Sequence, residues 1–402
     1  MYRRVSDVFA AAAGKKLSAV EVNPAISHQH EFNGVAELSR VLGEPIDRDR
    51  LIAVFVYLDD DLEPHVVESS LTWYDARRKA REERGVNRSE LRLYYPANEV
   101  MSKAESGDLL VIAREHVTEG GRVLVAVCQG GSSVALQMSL IFGLSQDASI
   151  FEVDGDLDRQ LDFTTALLLG ALGYETSAVE TAFLGPLLTA FGESFPTTKA
   201  FSEFARRSAN FADPMKDPDE ALLTWMTREE ELFRTLELHL VTRDLTAASS
   251  DVERVLEIAQ RAFQRRKVRA GQALENHLEH LFAVLGVANT RGGKTEGAKK
   301  PDFLFPSVDA YRDPARSADR LCVLGVKTTC KDRWRQVLNE ADRVPLKHLL
   351  TLEAPISSTQ INEMTSAGLS LVIPNSLHSR FPAEDRHRIM SVRTFLDMVN
   401  AL

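Results

Sequence analysis

Apolar residues along this chain follow two patterns. Over the first 145 residues they come in short runs rich in β-branched and aromatic side chains, at 51–58 (LIAVFVYL), 91–95, 109–113 and 122–127. Runs of that kind between turn-formers predict strands. Gly120-Gly121, between the last two runs, predicts a hairpin. Stretches 72–84 and 133–142 read as helices, so 1–145 is expected to be a separate N-terminal domain, mixed α/β and strand-rich. From residue 147 the pattern changes. The acidic stretch 147–162 has little period, and 146–190 reads as a linker with a helical segment starting at 163. Pro214 and Pro218 mark a loop. Apolar spacing of three to four residues then predicts long amphipathic helices at 221–241 and 252–266. Within 191–402, helix (272–285), strands (303–305, 321–326), helix (333–341), strand (348–352), helix (358–367), strand (369–373) and helix (391–402) follow in turn. Alternation of this kind argues an α/β domain with a central mixed sheet.

Composition narrows the class. A chain of 402 residues with 44% hydrophobic and 26% charged residues reads as a soluble protein of two or three domains. No apolar run reaches the roughly 18 residues that span a bilayer. Residues 1–16 lack the apolar core of a secretory signal, so no membrane partner and a cytoplasmic location are expected. Cys128, Cys322 and Cys330 are odd in number and lack metal-ligand spacing, as expected of free thiols. The net charge of −10 is unevenly placed, because residues 261–350 hold 18 Lys and Arg against 10 Asp and Glu. A local basic field attracts phosphates whatever the total charge. The acidic stretch 152–162 is expected to lie over that basic region in a resting state.

Candidate chemistry concentrates in 301–340. Pro301-Asp302 introduces one apolar strand, a second ends in Lys327, and Glu340 follows thirteen positions later in a helical run. Carboxylates and a lysine at the ends of neighbouring strands are the parts needed to hold Mg²⁺ against a phosphodiester and ready a water for attack. In the pattern common to metal-dependent nucleases a second acid stands two residues before the lysine; here that position is Gly325. Mg²⁺ needs one or two carboxylates besides phosphate and water oxygens. Two replacements are available: Glu340, and Glu275 on the preceding helix. Taken singly, Lys327 would be a solvated strand-end lysine and Glu340 an ordinary partner of Arg335 or Arg343; their order in a basic segment points to a nuclease. Lys331-Asp332-Arg333-Trp334-Arg335 follows directly. Arg forks onto guanine O6 and N7 and Asp accepts from the cytosine amino group, which suits base readout; the plainer reading is a charged helix start capped by Asp332.

From about residue 193 onward the chain resembles the catalytic domain of EcoRII-type restriction endonucleases. The resemblance runs through RRKVRAGQALENHLEHLF (265–282), TEGAKKPDFLFPS (295–307), VKTTCKDRWRQVLNEAD (326–342) and LVIPNSLH (371–378). It implies a restriction-endonuclease-like α/β fold, Mg²⁺-dependent cleavage of double-stranded DNA, a homodimer, and a cognate DNA methyltransferase in the host. By motif position it implies an active site of Glu275, Asp302, Lys327 and Glu340 with Lys331 close by. It also implies metal ligation by Asp302, Glu340 and Glu275, and readout of G·C pairs in a CC/GG-flanked site by Lys331, Asp332 and Arg333. Arg335, Arg266 and Arg269 are further DNA-contact candidates. EcoRII-type enzymes carry an N-terminal β-barrel effector domain that binds a second DNA copy and masks the cleft. By analogy residues 1–145 are expected to sense DNA. Their own candidates are His28, His30, Trp73, Tyr74, Arg77, Arg78 and Arg92, since aromatics interleaved with arginines suit phosphate contact and stacking. Two alternatives stay open: a nuclease directed to modified DNA, and a DNA-binding regulator without catalysis.

Overall fold

The computed structural model of the chain describes residues 4–22, 30–61, 63–84, 88–116, 122–145, 147–154, 157–159, 161, 163–174, 181–209, 213–248, 251–330 and 334–402. His28, Gly120-Gly121, Lys331, Asp332 and Arg333 lie outside the described residues.

The N-terminal unit is one curled sheet of β1 (Phe9–Lys16), β2 (Glu31–Phe32), β3 (Arg48–Leu58), β4 (His65–Asp75), β5 (Leu91–Tyr94), β6 (Leu109–Glu115), β7 (Val123–Cys128) and β8 (Glu152–Asp154). They run in the order β2-β5-β4-β3-β7-β6-β1-β8. The central strands β6 and β7 are almost wholly buried because both faces are covered, which explains their unbroken apolar runs. One core gathers Phe32, Val35, Phe55, Trp73, Tyr95 and Phe151 between the two ends of the sheet, so the turn after β2 closes toward β8. There a buried ion pair, Lys15 Nζ to Glu21 Oε1 at 2.5 Å, ties β1 to that end. Lys15 Nζ also donates to Asn33 O, and Glu21 accepts the Asn33 amide.

Two expectations change here. Thr72–Asp75 belongs to β4 and not to a helix; its alternation buries Leu71 and Trp73 and turns Thr72 and Tyr74 outward, and only Arg78–Arg84 (α1) is helical. Residues 147–174 are more than a linker. β8 pairs antiparallel with β1 (Ala13↔Val153), Leu157 and Leu169 join the second core, and Tyr174 packs edge-on against Phe9 at 4.9 Å. Acids of that stretch are used inside the unit: Glu152 accepts the Ser145 amide, and Asp158 pairs with Arg4 and Ser6. Asp156 and Asp162, the other acids expected over the basic region, lie outside the described residues. Helices α2 (Ser133–Phe142) and α3 (Phe163–Ala171) complete this unit.

The C-terminal unit is built on β9 (Thr290–Arg291), β10 (Phe303–Phe305), β11 (Cys322–Lys327), β12 (Lys347–Thr351), β13 (Leu369–Val372) and β14 (Ile389–Met390). The order is β14-β13-β12-β11-β10-β9; β11 to β14 are parallel and β9 and β10 antiparallel, giving the expected mixed sheet. The long helices α5 (Pro218–Ala247) and α6 (Val252–Val284), with α9 (Val392–Asn400), cover one face. α7 (Trp334–Leu338) and α8 (Ser358–Ser366) cover the other. α6 runs unbroken through Gly271 where two helices were expected, with Ile258, Ala262 and Ala270 buried before the glycine and Ala273, Leu274 and Leu278 buried after it. α4 (Thr198–Ser208) packs beside α5 and α6.

α2 joins the two units. Ser133 Oγ donates to Gln360 Oε1 (2.7 Å) and accepts from the Ser357 amide (2.8 Å), while Gln137 Nε2 donates to Glu353 Oε1 (3.1 Å) and Pro355 O (3.0 Å). Asp60 caps α2 through the Ser133 and Val134 amides. Beside this contact lies a cavity of about 910 Å³ bordered by Asp60, Gln137, Arg266, Thr328 and Glu353.

Removing one partner of the buried Lys15–Glu21 pair strands the other. Lys15→Met is expected to destabilise the protein by about 3–5 kcal/mol, read as a lower urea midpoint, and adding Glu21→Gln is expected to recover part of the loss.

Candidate active site

Asp302 immediately precedes β10 and Lys327 ends β11, so the antiparallel register Phe303↔Leu324 brings them together. Asp302 Oδ2 accepts from Lys327 Nζ at 2.9 Å and from the Val326 amide at 2.7 Å. Both side chains are about four-fifths covered. The backbone amide fixes the carboxylate, and the carboxylate holds the ammonium at the sheet edge.

Gly325 explains why no acid stands two residues before the lysine. A Cβ there would lie 2.5 Å from Val337 Cγ2, and Val337 of α7 is fully buried. The helix approaches the strand this closely only because the position has no side chain. Glu340 follows three residues after Val337, its amide donating to Val337 O at 3.1 Å. The docking that excludes a carboxylate from β11 therefore delivers one from just beyond α7.

Burial, then the charge of Asp302, pushes the Glu340 carboxyl up to about 7, against the pull of Lys327, Lys347 and Lys299. Its Oε2 is buried and has no hydrogen-bond partner among the described residues. Glu275 projects from α6. Burial and then Asp302 raise its carboxyl, while Arg291 and Lys327 oppose the rise. Asp302 and Lys327 thus act on both Glu275 and Glu340.

The donor set fits Mg²⁺. A buried carboxylate oxygen without a partner on Glu340, beside an Asp302 whose hydrogen bonds both fall on Oδ2, is what a small, hard cation completes. Among the described residues no three Asp, Glu, His or Cys side chains stand close enough to enclose an ion. Glu275 Oε2 is instead held by Arg291 at 2.9 Å.

The DNA-contact candidates separate. Arg335 stacks over Trp334 at 4.6 Å, stands 3.4 Å from Glu363, and reaches Asp61 of the N-terminal unit at 3.8 Å. Arg266 donates to Glu237 at 2.7 Å and borders the cavity between the units. Arg269 is only 7% exposed, paired with Glu229 and Glu230 and stacked on Phe233; burial lowers it to about 10. In this conformation it braces α6 against α5, and its guanidinium is not presented to DNA.

In the N-terminal unit Trp73 is a correction. It is 1% exposed and donates Nε1 to Gly43 O, so it is a core residue and no platform for a base. Tyr74, on the outer face, donates to Glu31 and lies under Arg48 at 4.6 Å. Arg92 engages Glu31 and Glu90, Arg77 engages Glu90, and Arg78 engages Glu82 and Asp47. His30 sets its ring edge against Tyr95 at 5.6 Å. Sequence reasoning missed Arg291, which no motif marks, and Lys347, a buried lysine on β12 that faces Glu340 electrostatically. It missed Arg48 as well, though strand alternation alone would have put it on the face of Tyr74.

A mixed sheet with an acid and a lysine on adjacent strands, and a further acid beyond the covering helix, defines the C-terminal unit as a restriction-endonuclease-like α/β domain. Residues 233–396 match the family model described as EcoRII C terminal. The chain is 37% identical over 236 residues to the type II restriction enzyme EcoRII of Escherichia coli, covering 58% of this chain and 57% of the relative. It is 25% identical over 183 residues to the type II restriction enzyme SsoII of Shigella sonnei, covering 43% and 57%. The chain thus spans little more than half the length of these curated relatives. Solved structures similar to it include metal-depleted Ecl18kI in complex with uncleaved, modified DNA (TM-score 0.45, 19% identity, 55% of this chain and 83% of that chain). Another is a PspGI–substrate DNA complex (TM-score 0.43, 16% identity, 52% and 95%).

The raised Glu340 carboxyl has a consequence for stability. Its folded value of about 7 stands above the ordinary 4.5, so charging it costs the folded state. That cost is absent below the ordinary value, grows as pH rises between the two, and is complete above the folded one. In metal-free buffer Glu340→Gln is expected to be more stable than the wild type at pH 8, by no more than about 3 kcal/mol, with the difference closing toward pH 4.5. Denaturant unfolding at the two pH values measures it.

Proposed function

We propose that this chain is a Mg²⁺-dependent, site-specific type II restriction endonuclease that hydrolyses phosphodiesters of double-stranded DNA at a short CC/GG-flanked site. The observation that carries the reading is Lys327 Nζ at 2.9 Å from Asp302 Oδ2, with the unpartnered Glu340 carboxylate oxygen beside them. Asp302 and Glu340 would hold the cation, with Glu275 behind them. Mg²⁺, when bound, supplies Lewis acidity toward the phosphate and makes a bound water easier to deprotonate. Lys327, anchored on Asp302, directs its ammonium at the scissile phosphate, orients the attacking water and offsets charge that builds on the phosphate oxygens. Lys331, Asp332 and Arg333, directly after the strand that bears Lys327, would read G·C pairs, with Arg335 and Arg266 contacting the backbone. A homodimer would present one such site to each strand. A cognate methyltransferase would protect host DNA.

The N-terminal unit is proposed to sense DNA through the outer face bearing Tyr74, Arg77, Arg78 and Arg92, and to restrain the catalytic unit until it does so. The contacts of α2 with residues 353–360, the approach of Asp61 to Arg335, and the cavity bordered by both Asp60 and Thr328, the residue after Lys327, support restraint.

Asp302→Ala and Lys327→Ala are each expected to lower plasmid cleavage by about 10²–10³-fold or more while leaving DNA affinity in Ca²⁺ near that of the wild type. Cleavage at the wild-type rate by either variant refutes the assigned site. A chain beginning at Thr181 is expected to cut single-site DNA faster than the full chain; equal rates would count against restraint.

A further inference from the structure

We propose that Arg291 is a positioning residue for the cleavage reaction, its guanidinium fixing the Glu275 side chain against the strand that carries Asp302. The proposal rests on the endonuclease reading of this same site. Arg291 Nε and one terminal nitrogen both donate to Glu275 Oε2, at 3.2 and 2.9 Å. The other terminal nitrogen donates to Asn276 Oδ1 at 2.8 Å and to Glu279 Oε2 at 3.2 Å. One guanidinium therefore gathers Glu275, Asn276 and Glu279 from one side of α6.

The other end of the arginine is equally fixed. Arg291 pairs with Phe303 across β9 and β10, and the next amide, Gly292, donates to Asp302 O at 3.0 Å. The backbone that places Asp302 thus also places Arg291. Asn276, 6% exposed, passes the restraint on to Ser202 of α4 at 3.1 Å. α6 alone settles where the Glu275 backbone lies, but its carboxylate hangs on three rotatable bonds. The fork removes that freedom, and because both donors use Oε2, the other oxygen is left for the site. A lysine has the charge but lacks the planar array of donors that meets several acceptors at once. An arginine at the end of a two-residue edge strand carries no recognisable motif, and only the fold reveals whom it meets.

Arg291→Ala and Arg291→Lys in the full chain test this, with Asp302→Ala as the control for the site itself. Three quantities are read: kcat and KM for DNA cleavage, Mn²⁺ affinity of the DNA-bound protein by electron paramagnetic resonance, and Tm. Arg291→Ala is expected to lower kcat and Mn²⁺ affinity by about 10–100-fold each, with KM little changed. Arg291→Lys is expected to recover part of both. Unchanged kcat and Mn²⁺ affinity in Arg291→Ala overturn the proposal. So does a loss that Lys does not relieve and that follows a fall in Tm, since a plain structural staple behaves that way. Full cleavage by Asp302→Ala would instead remove the endonuclease site, a result separable from either of these.

Discussion

The candidate site depends on one close approach: Val337 lying on Gly325. With any side chain at that position a Cβ would meet Val337 at 2.5 Å, and α7 could not seat on β11. Because it does seat, Glu340 arrives beside Asp302 and Lys327 from the helix side of the sheet. The acid missing from the strand at Gly325 has a counterpart two residues beyond α7, half-buried. That placement accounts for its electrostatics, since a carboxyl in that position feels desolvation first and the lysines around it only second.

Much of this was legible in the sequence, for a physical reason. Strand ends are marked by abrupt changes from apolar to polar, so Pro301-Asp302 and Lys327 stand out, and the antiparallel register does the rest. The alternation of elements likewise gave the mixed sheet. What escaped were features set by long-range partners. Trp73 lies next to Tyr74 in sequence, yet strand alternation sends the two to opposite faces, which composition does not record. α6 continues through Gly271 because contacts on both sides of it outweigh the modest local cost of glycine in a helix. Residues 152–154 read as an acidic linker and are the edge strand of the first sheet. Lys331, Asp332 and Arg333, the segment assigned to base readout, lie outside the described residues.

The local excess of basic residues between 261 and 350 also looks different in three dimensions. Arg269 is met by Glu229 and Glu230, and Arg266 by Glu237, all on α5 and all outside that window. Part of the positive charge counted along the chain is thus neutralised by the neighbouring helix and holds α5 against α6. Charge counts over a window of sequence describe field only when the partners fall inside the same window.

Glu353 gives the joint between the units its character. One carboxylate oxygen accepts the Cys330 amide, at the start of the segment that follows Lys327, and the other accepts the Gln137 side chain from α2. Ser133, Gln137, Ser357 and Gln360 meet across this joint through amide and hydroxyl hydrogen bonds, and Glu353 joins them by accepting from Gln137. Each such neutral bond is worth only about 0.5–1.5 kcal/mol over its replacement by water. Were these bonds to part, the amides and hydroxyls would exchange one another for water, and Glu353 would keep its hold on Cys330.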